Sequence, residues 1–235
     1  MLKNINLSLG SSEVVALVGF NGSGKSTLAK LALGLYAPTT GSMSVHGVDT
    51  LSISREAYLK AFSVVFQDFV RYEFSIRDNV GFGDISQLDN DKAIFVAMEK
   101  GDSTNIINQN MSLDSMLGRS LDPEGTDLSG GQWQRIAISR GFMNDSLCIV
   151  FDEPTSALDP LAELNYFTKL KEFIAGRSAI IISHRIGICK LADRVLFLDS
   201  GSITENGTHD ELLALEGQYK SFYLEQAKWY DWSEL

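Results

Sequence analysis

The stretch that most restricts the fold of this chain is "EVVALVGFNGSGKST", residues 13 to 27. In "EVVALVG" a short unbroken apolar run follows Glu13, the pattern of a strand buried on both faces, as in a parallel sheet with helices on either side. "KSTLAKLALGLY", 25 to 36, follows with Leu28, Leu31 and Leu35 at helical spacing. Between them lies a glycine-rich loop. Strand, glycine loop and helix in that order predict an α/β architecture, with the loop emptying into a helix N-terminus whose backbone N–H groups are available to an anion.

The rest of the chain is compatible with that start. With 235 residues, 44 % of them hydrophobic and 21 % charged, it is long enough for one large core or a core with a subdomain. Its strongest apolar runs, "VVALVGF", "LCIVF" and "SAIII", are far shorter than the eighteen or so residues that span a bilayer. "MLKNINLSLGSSE" lacks the regions of a signal peptide, so a cytoplasmic chain is expected. Cys148 and Cys189 sit in apolar stretches without metal-ligand spacing and read as buried, reduced thiols. A formal net charge of −10 argues against a broad basic face for nucleic acid, while leaving room for a local anion pocket.

Along the chain, "SMSVHG" and "FSVVFQD" read as further strands, and the pattern turns mainly helical from about Ile76 to Met143, through "DKAIFVAMEKG" and "QWQRIAISRGFM". We expect a core over 1–75 and 145–235 with a helical subdomain over 76–144. Alternation then resumes: "LCIVFDE" is a strand, "LAELNYFTKLKEFIAG" a helix with Leu161, Leu164, Phe167, Leu170 and Ile174 on one face, and "SAIIISH" a strand. "RVLFLDSGSITENG" predicts a hairpin turning at Ser200 and Gly201, and Thr208 with Glu211 has capping-box spacing for a terminal helix. The tail aromatics Trp229, Tyr230 and Trp232 read either as a helix packing on the domain, the preferred reading, or as a partner-binding surface. There is no internal repeat or low-complexity tract.

Within "GFNGSGKST", Gly19, Gly24, Lys25 and Ser26 fit the pattern G-x-x-x-x-G-K-[ST] in the strand-to-helix context that it requires. Glycines let successive N–H groups converge on phosphate oxygens, Lys25 can reach the β and γ phosphates, and the Ser26 hydroxyl can ligate Mg²⁺. A second carboxylate for that metal is available in "LCIVFDEP", where Asp152 ends an apolar strand. Glu153 follows, placed either to polarise an attacking water or to cap the turn at Pro154. A second helix start of the anion-holding kind, "DLSGGQWQR", stands at 127 to 135.

With these residues the chain resembles the nucleotide-binding domain of an ABC transporter, and the resemblance runs over essentially its whole length. It implies a P-loop ATPase of mainly parallel sheet flanked by helices, with a helical subdomain and an antiparallel β part at the N-terminus. It also implies head-to-tail dimers holding two ATP molecules at the interface, so that "LSGGQ" of one domain closes over the nucleotide of the other. On this resemblance the ATP contacts are Gly19, Asn21, Gly22, Ser23, Gly24, Lys25, Ser26 and Thr27. Those completing the other domain's site are Ser129, Gly130, Gly131, Gln132 and, in the D-loop "SALD", Asp159. Gln67 in "VVFQD" matches the Q-loop glutamine that senses Mg²⁺ and water, His184 in "IISHR" the switch histidine at the γ-phosphate, and Ser26, Gln67 and Asp152 form the metal set. Glu153, His184, Lys25 and Gln67 are the expected catalytic group.

The implied partners are a second nucleotide-binding domain and a transmembrane domain fused upstream or separate, which would hold the chain at the cytoplasmic face of a bacterial membrane. Tyr72, Phe74 and Arg77 lie in a stretch similar to bacterial exporters of modified peptides such as lantibiotics. Two departures stand out. Family members carry further N-terminal strands and an adenine-stacking aromatic, whereas no aromatic precedes Gly19 here; either the chain is a fragment, the preferred reading, or adenine is held differently. Before the signature, "GRSLDPEGTD" replaces the usual Gly-Glu-Arg-Gly-like segment. Soluble ABC ATPases acting on DNA share the motifs but carry large insertions, while Gln67 and Leu128 here flank a compact stretch. A P-loop kinase or GTPase would leave "LSGGQ" and His184 unexplained.

Overall fold

The computed structural model of the chain describes residues 1–154, 160–174 and 176–228. In chain order the elements are β1 (Val14–Gly19), α1 (Lys25–Ala32), β2 (Ser44–Val45), β3 (Val48–Asp49), α2 (Arg55–Lys60), β4 (Phe62–Val65), α3 (Ile76–Gly81), α4 (Asp91–Lys100) and α5 (Gly130–Met143). They continue as β5 (Cys148–Asp152), α6 (Pro160–Ile174), β6 (Ser178–Ile182), β7 (Arg194–Asp199), β8 (Ser202–Gly207), α7 (His209–Ala214) and α8 (Gln218–Ala227). Two compact units divide the chain: Met1–Phe62 with Leu147–Glu153 and Asp159–Leu235, and Ser63–Ser146 with Pro154–Leu158.

The first unit is built on strands in the order β5-β6-β1-β7-β8. β5, β6, β1 and β7 pair in parallel, and β8 returns antiparallel to β7. β1 is apolar throughout because it has β6 on one side and β7 on the other and helices over its faces: Val15, Ala16 and Val18 have no exposed surface. The same reason makes Ile149, Val150 and Phe151 of β5 fully buried. Register then sets the function. Leu17 lies opposite Ile182, Gly19 opposite Leu198 and Asp152 opposite Ile182, so the chain leaves β1, β5 and β6 at one carboxyl edge. Gly19, Asp152 and His184 are thereby placed at that edge, where parallel α/β sheets bind ligands.

Several local features differ from the sequence reading. α1 stops at Ala32 because Gly34 takes φ +66° and its N–H returns to the Leu31 carbonyl, a left-handed helix end. Leu35 therefore lies beyond the helix and is 45 % exposed. "SMSVHG" becomes half of a tight hairpin, β2 with β3, because His46 and Gly47 both adopt positive φ, 50° and 78°, as a two-residue turn between twisted strands requires. This hairpin forms the separate antiparallel sheet, and residues 1–13 run without strand structure. α2 was not expected; Ser54 starts it by accepting from the Ala57 N–H. The hairpin at Ser200 and Gly201 and the capping box of Thr208 and Glu211 form as read. Phe167, Leu170 and Ile174 are buried on α6, whereas the side chains of Leu161 and Leu164, like Trp229, Tyr230 and Trp232, lie outside the described residues.

The second unit is mainly helical. Ile94, Met98, Ile136 and Ile138 are at most 1 % exposed. At its centre the buried Asn79 amide donates to the carbonyls of Tyr72 and Ser75, at 2.8 and 3.0 Å, and Arg140 of α5 donates to both Asn79 oxygens. Arg140 also stacks on the Tyr72 ring, 4.7 Å from its centroid.

Among the described residues no helix is long and apolar enough to cross a membrane. Cys148 and Cys189 are free, and burial pushes both thiols up to about 12. Since the thiolate is the reactive form, neither should react with Ellman's reagent at pH 8 in the folded protein, and both should react in denaturant. A rapidly reacting thiol in native buffer would contradict this packing.

Candidate active site

The loop after β1 is shaped by its glycines. Gly19 has φ +146°, and a Cβ there would lie 2.1 Å from the Leu198 carbonyl oxygen, so no other residue fits the approach of β1 to β7. Gly24 has φ +107° and stands at the N-cap of α1, leaving that helix without any side-chain cap. Its first N–H groups face outward, beside the exposed Asn21, Gly22, Ser26 and Thr27. Ser23 is buried, and among the described residues its hydroxyl has no hydrogen-bond partner. A buried polar group without a bond, next to bare helix donors, fits a bound anion.

Lys25 is buried and its ammonium folds back to donate to the carbonyls of Gly19 and Phe20, both at 2.9 Å. Burial lowers its pKa from the ordinary lysine value, and the carboxylates of Glu153 and Asp152 pull it back up. Phe20 packs edge-on against Phe197 of β7 and Phe222 of α8, with centroids 5.7 and 5.5 Å away.

Across the same edge, Asp152 closes β5 at 9 % exposure. Glu153 follows with φ +52°, a left-handed conformation that costs a non-glycine residue about 1–2 kcal/mol. Its N–H donates to the Ile182 carbonyl at 2.9 Å, and its Oε2 lies 3.1 Å from Nδ1 of His184. The strained turn thus aims the carboxylate at the histidine rather than capping Pro154. Gln226 of α8 donates to the His184 carbonyl at 2.5 Å. Among the described residues no group of three or more His, Cys, Asp or Glu side chains could hold a metal alone. A hard cation bound through Ser26 and Asp152 would therefore take further oxygens from phosphate and water, as Mg²⁺ does.

Lys25, Asp152, Glu153 and His184 belong to the first unit; Gln67 and the signature belong to the second. Gln67 is exposed, two residues beyond β4. Ser129 caps α5 in a reciprocal box: its Oγ accepts from the Gln132 N–H at 3.3 Å, and Gln132 Oε1 accepts from the Ser129 N–H at 2.8 Å. A Cβ on Gly130 or Gly131 would meet nothing within 4 Å. Asp159 lies outside the described residues. Sequence reasoning missed the contacts of Phe222 and Gln226, which no local pattern announces.

Fold and site together define a P-loop nucleoside triphosphatase, with the phosphate loop, the carboxylates and the histidine on one sheet edge. The chain belongs to the ABC transporter family, whose model matches residues 2–156, and it is an ATP-binding, ATP-hydrolysing domain of that family. It is 39 % identical over 221 residues to the subtilin transport ATP-binding protein SpaT of Bacillus subtilis, covering 93 % of this chain and 36 % of that protein. To the nisin transport ATP-binding protein NisT of Lactococcus lactis subsp. lactis it is 41 % identical over 226 residues, covering 94 % of this chain and 37 % of the relative. Among solved structures it is similar to a bacterial Atm1-family ABC exporter with ATP bound: TM-score 0.85, 29 % identity, 96 % of this chain and 39 % of that one. The chain thus spans well under half the length of each.

Proposed function

We propose that this domain powers a bacterial exporter of lantibiotic-like peptides or other hydrophobic cargo, by closing in pairs around ATP. The observation that carries the reading is the Glu153–His184 contact at 3.1 Å on the edge that also holds Asp152 and the buried Lys25. That constellation suits phosphoryl transfer, in which positioning and charge compensation do most of the work. The bare N-terminus of α1 and the loop N–H groups bind phosphate oxygens. Lys25 exchanges its two carbonyl partners for the β and γ phosphates. Glu153 accepts a proton from the attacking water, and His184 contacts the γ-phosphate while held by Glu153. Mg²⁺, when bound, offsets the charge of the β and γ oxygens; Ser26, Asp152 and Gln67 are the residues that would hold it. Ser129, Gly130 and Gly131, with Gln132, serve the nucleotide of a second domain, as does Asp159.

The peptide cargo is supported by the names of two relatives and by the stretch containing Tyr72, Phe74 and Arg77. The membrane-spanning partner, the cytoplasmic face as location and the core and helical subdomain as functional halves belong to the same proposal. A DNA-acting ATPase finds no support among these relatives. If sites are completed between two copies, ATP turnover per molecule rises with protein concentration until dimers saturate. A rate per molecule that stays constant from a stable monomer would overturn the paired-site reading.

A further inference from the structure

α8 touches the site twice from one face. Phe222 and Gln226 are four residues apart, one helical turn, and so point the same way. Phe222 packs edge-on against Phe20 of the phosphate loop, and the Gln226 amide donates to the His184 carbonyl at 2.5 Å. At that turn the His184 backbone is flanked by Ser183, whose hydroxyl accepts from the Arg185 N–H at 2.9 Å. The imidazole in turn faces Glu153. One short helix therefore fixes the backbone on which the histidine hangs and the loop that carries Lys25.

We propose that Gln226 is a positioning residue for His184, and that α8 acts as a strap setting the histidine against the phosphate loop. The physical argument is one of leverage. His184 follows the end of β6 in a turn without helix or strand structure, so its ring direction is set by the few bonds of its own backbone together with the Glu153 contact. Removing the amide frees the peptide plane and lets the ring swing, while the helix stays in place. α8 is anchored independently: Tyr219 is fully buried, with its hydroxyl 2.6 Å from Nδ1 of His209, and Phe222 and Tyr223 are buried beside it. Gln226 itself is half-buried, near the helix end. The catalytic part of this inference rests on the reading of His184 as the γ-phosphate contact.

The chain has three histidines, His46, His184 and His209, so their ring signals can be separated by NMR. In Gln226→Leu the His184 ring signal should shift or broaden, with His46 and His209 unmoved. Turnover at saturating ATP should fall about tenfold while KM for ATP stays within about twofold, a loss of orientation rather than of binding. Gln226→Lys, which keeps a donor on a long stem, should recover most of the rate. In a His184→Ala background Gln226→Leu should add nothing.

An unmoved His184 signal with full turnover would overturn the proposal. So would a shift of His209, which would mean that the whole helix had been displaced, or a loss that adds to that of His184→Ala. A fully active His184→Ala chain would instead sink the catalytic role of the histidine, and the ring signal would still judge the strap. The NMR reading does not depend on activity.

Discussion

Glu153→Gln should leave the domain folded and able to bind ATP while lowering turnover by roughly 10²–10⁴-fold. The substitution keeps the shape of the side chain, and glutamine tolerates φ +52° no worse than glutamate does. It removes the property proposed for that position, a group able to take a proton from water. If closure around ATP precedes hydrolysis, the variant should accumulate as a dimer with ATP and Mg²⁺ and stay monomeric with ADP, because the nucleotide can shift the equilibrium only by its differential affinity for the two states. Light scattering and a phosphate-release assay on the same preparation check both parts. A variant with undiminished turnover would move the base elsewhere, and one that is inactive but never dimerises would separate hydrolysis from closure.

Gly19→Ala should be among the most damaging single-methyl additions in the chain. The new Cβ would sit 2.1 Å from the Leu198 carbonyl oxygen, and both belong to paired strands at the centre of the sheet, so neither can step aside cheaply. A loss of about 3 kcal/mol or more is expected, at or above the upper end of the range usual for overpacking a core. Gly22→Ala is the control. Its φ is +78° but its Cβ would meet nothing, so it should cost only about 1–2 kcal/mol, the left-handed penalty alone. Urea unfolding of the two variants separates collision from conformational strain; equal midpoints would mean that β1 and β7 are further apart than described.

The parts of this fold that were legible are those in which a short segment encodes its own environment. β1, β5 and β6 are apolar through their centres because they are covered on both faces, and the phosphate loop is readable because no Cβ fits at Gly19 and Gly24 holds a positive φ. The capping box at Thr208 is a local hydrogen-bond pattern and was equally open to reading, whereas Ser129 was read only as a helix start that holds an anion and not as a capping box. What escaped depends on distant partners. Gln226 looks like an ordinary polar residue on a helix until His184, 42 positions away, is brought beneath it. The end of α1 was misplaced because periodicity continued to Leu35, while the backbone had already turned at Gly34.

The two helix starts differ in what they do without a ligand. α1 begins bare, with Ser23 unsatisfied behind it, so an arriving phosphate relieves an existing deficit. α5 begins partly satisfied, because the side-chain Oε1 of Gln132 accepts from the Ser129 N–H as a surrogate for the anion and the Ser129 hydroxyl accepts from the Gln132 N–H. For Ser129 to serve a second domain's nucleotide through that N–H, the surrogate must first be displaced. On the proposed pairing, the first site would be a store and the second a latch: what closing gained in phosphate contacts would be partly offset by the bond given up. Such a latch would let go readily once the γ-phosphate had gone, because its own glutamine would take the place back.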